Sequence, residues 1–410
     1  MGEDKDQDDM QDRAHDPLPL TGLRILDFGH TVMGPSCGLV LADLGADVTR
    51  IEPIAGDRTR RLGGFGAGFF AAFNRNKSSI GIDLKTADGR RVAEQLIRNS
   101  DVLIENFAPK TMQRLGLDWP MARRLNPKLV YCSMKGYLSG PYEELPALDE
   151  VVQMQSGLAF MTGPAGRPLR AGASVVDILG GMFGVIAILA ALREREATGL
   201  GQLVRSSLYE SAVFLMSQHL AVSATSAEPL QPMPEKKIAW AVYDIFQTAD
   251  RPVFVGVTSN KHWERLREQF RFGEWAHEAQ FSSQDGRLAA RDVLMNRISF
   301  AFAKLPAEVI LAGCRKAKVP CAPVNAPEDL AEDEHLACQG GMHSIDIAPG
   351  LSARLPALPI EMGQRRLPLR AQPPLVGSGA HNRLREAGLR ETEIDALAAT
   401  GVLTIDGREQ

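Results

Sequence analysis

What the chain lacks narrows it first. Its five cysteines, Cys37, Cys132, Cys314, Cys321 and Cys338, form no C-x-x-C pair. Neither a zinc site nor a disulfide framework is therefore signalled, and reduced cytoplasmic thiols are the default. The eight histidines form neither HxxxH nor HExxH, so no metal is expected. There is no excess of basic residues: the net charge of −4 offers no field to nucleic acid. No GxGxxG follows any apolar strand-like run, which disfavours a nicotinamide or flavin site. The longest apolar run, Ile178 to Leu192, is short, glycine-rich and followed at once by RERE, so no membrane span is expected. Residues 1–16 are acidic and polar, and read as a disordered tail rather than a secretory leader. Gly2 fails the myristoylation pattern, because Asp6 stands where Ser or Thr is needed.

What is present suits an enzyme of more than one domain: 410 residues, 44% hydrophobic and 23% charged. Short apolar runs at 23–28, 46–52, 101–106 and 129–134 alternate with helical periodicity at 39–44, 86–99 and 110–125. This pattern predicts a parallel sheet covered on both faces, with ligands at the carboxyl ends of its strands. A further strand is expected at 202–206 and an apolar helix at 211–224. The three prolines of Ser226 to Lys237 mark a linker. Beyond it, 241–246 and 253–257 alternate as a hairpin, with helices near 260–270, 287–304 and 306–317. The expected division is a large domain from 17–225 and 333–410, a small α+β domain at 238–319, and linkers at 226–237 and 320–332.

Two sets of polar residues carry the candidate chemistry. The stretch Met161 to Leu192 runs from a Gly-, Pro- and Arg-rich loop into an apolar helix whose one charged residue is Asp177. A carboxylate at the mouth of such a helix is costly unless it is used or paired. Gly180, Gly181 and Gly184 follow, and they let a neighbouring backbone or a ligand come close. The second set lies at the expected strand ends: Asn74, Asn76, Lys77, Lys85, Asn106, Phe107, Arg114 and Lys135. Such a scatter suits a polyanionic nucleotide with a base to stack. The turn Gly29 to Ser36 has the glycine spacing of a P-loop, but Pro35 replaces its lysine, so an NTPase is disfavoured.

Blocks along nearly the whole chain carry a family resemblance. They include LTGLRILDFGHTVMGPSCG, FNRNKSSIGIDLKTADGR, DVLIENFAPKTMQRLGLD, GLAFMTGPAGRPLRAGASVVD, VPCAPVN and PPLVGSGAHNRLREAGL. In this order they resemble the family III CoA-transferases, the CaiB/BaiF-type group named for carnitine and bile-acid CoA enzymes. The resemblance implies a Rossmann-like large domain built from both chain ends, an inserted smaller domain, and two subunits interlocked as rings. It implies coenzyme A and acyl-CoA as substrates rather than tightly bound cofactors, a carboxylic acid as the other substrate, and a cytoplasmic homodimer. An aspartate would carry the acyl group as a mixed anhydride and then CoA as a thioester. The loop after Thr162-Gly163, where several members hold that aspartate, contains no acid here. The resemblance therefore assigns the role to Asp177, with Asp149 in reserve, and CoA contacts to Lys85, Asn106, Phe107, Arg114 and Lys135. Arg167 and Arg170 beside the site suit a short dicarboxylate. Two other readings stay open. The fold also hosts 2-methylacyl-CoA racemases, whose proton-transferring histidine is replaced here by Leu148, and a CoA-binding protein without turnover would share the same cleft.

Overall fold

The computed structural model describes residues 17–235, 239–363 and 365–405. The expected tail at 1–16 lies outside them. The chain divides into two compact units: 1–234 with 334–410, and 235–333.

The larger unit is built on a seven-stranded sheet. Its strands are β1 (Arg24–Asp27), β2 (Asp47–Glu52), β3 (Lys77–Ile82), β4 (Val102–Glu105), β5 (Val130–Lys135) and β6 (Leu203–Ser207), all parallel, in the order 3-2-1-4-5-6. Strands β1, β4 and β5 are mainly buried apolar runs, as a sheet covered on both faces requires, while β2 and β3 also bury Arg50, Glu52 and Lys77. The C-terminal Leu403–Thr404 pairs antiparallel with β3 and closes that edge. The order reverses between β1 and β4, the point where open α/β sheets form a crevice.

Helix α1 (Met33–Asp43) joins β1 to β2 and is longer than the residues 39–44 expected. Pro35 does not end it, because the first helical turn leaves its N–H groups without helical acceptors. The helix expected over 110–125 is two, Thr111–Leu115 and Trp119–Leu125. They are split where Gly116 turns left-handed and Asp118 caps the second piece. Helix α2 (Asp149–Gln155), helix α3 (Val175–Thr198) and helix α4 (Leu208–Leu215) follow. The helix expected over 211–224 breaks at Met216 into α4 and Ser217–Thr225.

The glycines of α3 explain how it lies in the fold. A Cβ on Gly180 would stand 2.5 Å from Met33 Cε, and one on Gly181 would stand 2.2 Å from Ser36 Oγ. On Gly184 it would stand 2.9 Å from Met134 Sδ. These positions are sealed by α1 and β5, so their close approach serves backbone packing and leaves no room there for a ligand. By length and composition α3 passes as a membrane span, but this glycine face is buried against α1 and the sheet.

The smaller unit holds a three-stranded antiparallel sheet, β7 (Tyr243–Phe246), β8 (Val253–Gly256) and β9 (Cys321–Pro323), with helices Asn260–Phe270, Arg291–Phe302 and Ala307–Ala317. Trp263, Phe281 and Phe302 fill its core. Strand β9 falls in 320–332, read from its prolines as linker. Pro323 is tolerated because it lies at the end of an edge strand.

Candidate functional site

A cleft of about 760 Å³ opens at the carboxyl ends of β1 to β3 and beside the segment that follows β4. One wall is the turn after β1, with His30 and Thr31. Asn106 holds that turn: its Oδ1 accepts from the His30 N–H at 2.7 Å, and its Nδ2 donates to the His30 carbonyl at 3.0 Å. Gly34 permits this approach, since a Cβ there would stand 2.9 Å from Asn106 Oδ1. The His30 ring stacks on Phe107 at 5.5 Å. Burial and the nearby Arg50 charge lower the His30 pKa against the pull of Asp57, which keeps the ring neutral at neutral pH.

Lys85 and Phe107 both line this cleft. Lys85 is exposed, and its ammonium has no partner among the described residues. Asn106 shapes the wall. Arg114 is exposed on the short helix whose next residue, Leu115, lines the cleft, and it bonds Thr111 Oγ1 at 2.8 Å. Lys135 is committed elsewhere: its Nζ lies 2.7 Å from Glu105 Oε2 and 2.7 Å from the Phe107 carbonyl. Glu105 also accepts from the Phe107 N–H at 3.0 Å. Lys135 thus fixes the segment that presents Phe107.

Three polar residues read as candidate anion contacts are used by the fold. Lys77 is buried, with Nζ 2.8 Å from Asp27, 2.9 Å from the Pro35 carbonyl and 3.1 Å from Asn74. Burial pushes the Asp27 pKa up, but Lys77 and Arg50 outweigh it and hold the carboxyl below its usual range. Asn76, at φ +60°, bonds Asp43 and the backbone of Arg370 and Ala371.

Arg50 was not among the expected residues. It lines the cleft, is 1% exposed and pairs with Asp57. Its Nε and Nη1 make no hydrogen bond among the described residues. Its sequence signal was an arginine between Val48 and Ile51 in a strand predicted to be covered on both faces.

The two acidic candidates stand together, apart from the lining of that cleft. Asp149 is 5% exposed and opens α2. Its Oδ2 accepts from the N–H groups of Val176 and Asp177, both at 3.0 Å, and its Oδ1 accepts from Gln153 Nε2 at 2.5 Å. Asp177 is half-buried, and its carboxylate has no hydrogen-bond donor among the described residues. Burial, with the charges of Asp149 and Glu150, raises its pKa to about 7, against the opposing pull of Arg170. The start of α3 does not favour ionised Asp177, because Asp149 occupies its free amides. Arg170 pairs with Glu150, donates from Nε to the Ala171 carbonyl at 2.9 Å and packs over Phe65. Its Nη2 is buried and makes no hydrogen bond among the described residues. Arg167 is exposed in the preceding loop. A Cβ on Gly172 would meet open space, unlike one on Gly180 or Gly181.

Sheet order and cleft place the chain among the doubly wound α/β proteins, whose ligands lie at the switch point. Comparison with known proteins makes the assignment specific. The model of CoA-transferase family III matches residues 20–382, and the chain belongs to that family of enzymes. It is 32% identical over 386 residues to the succinate–glutarate CoA-transferase of Agrobacterium fabrum, covering 91% of this chain and 96% of that one. It is 36% identical over 327 residues to the acetyl-CoA:oxalate CoA-transferase of Acetobacter aceti, covering 78% and 83%. The alpha subunit of the succinyl-CoA–L-malate CoA-transferase of Chloroflexus aurantiacus is 33% identical over 84% of this chain and 85% of its own length. Among solved structures, a CaiB/BaiF family protein from Brucella suis superposes with a TM-score of 0.83 at 28% identity, covering 90% of this chain and all of that one (100%).

Proposed function

We propose that the protein moves CoA from an acyl-CoA to a short dicarboxylic acid, with Asp177 as the nucleophile. The observation that carries this is Asp177 itself. It is a carboxylate without a donor, raised to about 7, at the start of a glycine-rich helix in a CoA-transferase fold. Such a group is basic enough to attack and is not quenched by hydrogen bonds.

Asp177 attacks the thioester carbonyl carbon, the C–S bond breaks, and CoA leaves as thiolate. The thiolate then attacks the aspartyl carbonyl of the mixed anhydride, releasing the donor acid and leaving an aspartyl thioester. The acceptor carboxylate attacks that thioester, giving a second anhydride and free thiolate. Attack on the acceptor's carbonyl then yields the new acyl-CoA and restores Asp177. The cleft walled by His30, Phe107 and Lys85 would hold the nucleotide end of CoA. The turn from His30 into α1, which packs on α3, offers a path towards Asp177.

Arg170, half-buried and with its charge acting on Asp177, supports a second carboxylate on the substrate. So do the named activities of the relatives, whose acids include succinate, glutarate, malate and oxalate. Large apolar side chains exposed on neighbouring helices, among them Met154, Phe160, Ile186, Phe214 and Leu220, support an interlocked homodimer. The five free cysteines fit the cytoplasm.

The test is trapping. Wild type is incubated with succinyl-CoA, treated with hydroxylamine and mapped by mass spectrometry, beside Asp177→Ala. Label on the Asp177 peptide, and loss of transfer with CoA binding retained in the variant, are expected. Label on the Asp149 peptide would move the role there. Full activity in Asp177→Ala would end the reading.

A further inference from the structure

The start of α3 is capped in an unusual way. Its own N-cap residue, Ser174, makes no side-chain cap. The cap comes instead from Asp149, on a different helix, through the N–H groups of Val176 and Asp177. Gln153, 0% exposed, completes the arrangement. Its Nε2 holds Asp149 Oδ1 at 2.5 Å, and its Oε1 accepts from the Ala171 N–H at 2.8 Å. One carboxylate and one amide therefore join α2, the Arg170 loop and the first turn of α3.

We propose that Asp149 and Gln153 are positioning residues for Asp177, which leave its carboxylate unpaired and aimed by a fixed helix start. The proposal rests on the reading of Asp177 as nucleophile. The physical point is a competition for donors. A carboxylate that accepts two backbone N–H groups is a weak base and a poor nucleophile. The free amides of α3 are such donors, and they adjoin Asp177. Asp149 takes them first, so Asp177 keeps the reactivity of an undercoordinated carboxylate. The negative charge of Asp149 acts in the same direction.

The other charges around Asp177 are Glu150 on α2 and Arg170 on the loop, which pair with each other. On the elements packed against α3, the charged groups are engaged elsewhere. Asp43, the one charged residue of α1, binds Arg75, and Arg205 of β6 binds Glu143. Glu210 of α4 accepts from Ser207 and the Leu138 N–H.

The experiment reads Asp177 without turnover. Carbodiimide labelling of its peptide is followed by mass spectrometry from pH 5 to 9, in wild type and Asp149→Asn. Asn keeps an oxygen for the amides but loses the charge. The labelling midpoint should fall by about one pH unit, and kcat about tenfold, with the KM for acyl-CoA changed less than twofold. Gln153→Met keeps the cap and frees the loop, so kcat should again fall about tenfold at constant KM in a protein that still folds. An unmoved labelling midpoint in folded Asp149→Asn overturns the proposal. If that variant does not fold, wild-type kcat in Gln153→Met overturns it. A shifted midpoint in a protein whose transfer survives Asp177→Ala upholds the positioning and removes the nucleophile role instead.

Discussion

Replacing Asp177 by Asn should make the protein more stable while abolishing transfer. Asn has nearly the same shape and no charge to desolvate. In the native structure the Asp177 pKa rises from 3.8 to about 7. That difference of about 3 units, at 1.36 kcal/mol each, sets a ceiling of about 4 kcal/mol on the strain of the ionised form. The side chain is part-exposed and screened, so about half, ~2 kcal/mol, is the expected gain. Because the folded pKa lies above the unfolded one, the native state binds the extra proton between these values. The contribution of Asp177 is therefore fully present below about pH 4 and is lost as pH rises through about 7. The Asn variant escapes that loss. Its advantage in urea unfolding should be small near pH 4, grow towards pH 7 and stay level at pH 8, with the m-value unchanged. A variant less stable than wild type at pH 8, or a difference independent of pH, would refute the argument, because it would mean that Asp177 is paired in the native state.

Two further outcomes are expected. Lys85→Ala should weaken CoA binding about tenfold at low salt and flatten its salt dependence, as read by calorimetry, because an unpartnered ammonium at the cleft meets phosphate with little else to lose. Sedimentation at nanomolar concentration should show a dimer that does not dissociate, since interlocked subunits separate only by unfolding; a folded monomer would rule out the interlock.

The architecture was legible where burial alone decides it. Apolar runs such as LRILDF and LVYCSM, alternating with helical stretches, suit covered strands, and β1, β2, β4, β5 and β6 stand close to where that alternation put them. Strand β3, KSSIGI, escaped notice because it opens with a lysine and two serines. Its lysine is buried by Asp27, a partner 50 residues away, and no local pattern announces such a pair. The same blindness made Asn74, Asn76 and Lys77 look like ligand contacts. Asp177 stood out as a lone charge at the head of an apolar helix. That Asp149 would cap that helix depends on α2 crossing its end, which is a tertiary fact. Lys85 and Phe107 could be placed beside a cleft because strand ends in a parallel sheet are where clefts form.

The larger unit is discontinuous along the chain, and this has a consequence for synthesis. Residues 235–333 are contiguous and are complete as soon as they leave the ribosome. The seven-stranded sheet is not, since Leu403–Thr404 must pair with β3, and Leu384, Ile394 and Leu397 must cover the face that Ile80 and Ile82 share. Until residues 380–404 emerge, β3 is an open parallel edge beside uncovered aliphatic side chains, a template for misassociation. A nascent chain stalled or cut before residue 380 would therefore carry a folded small unit on an unfinished large one. The burden of protecting that edge would fall on chaperones, or on the speed with which the final segment is made.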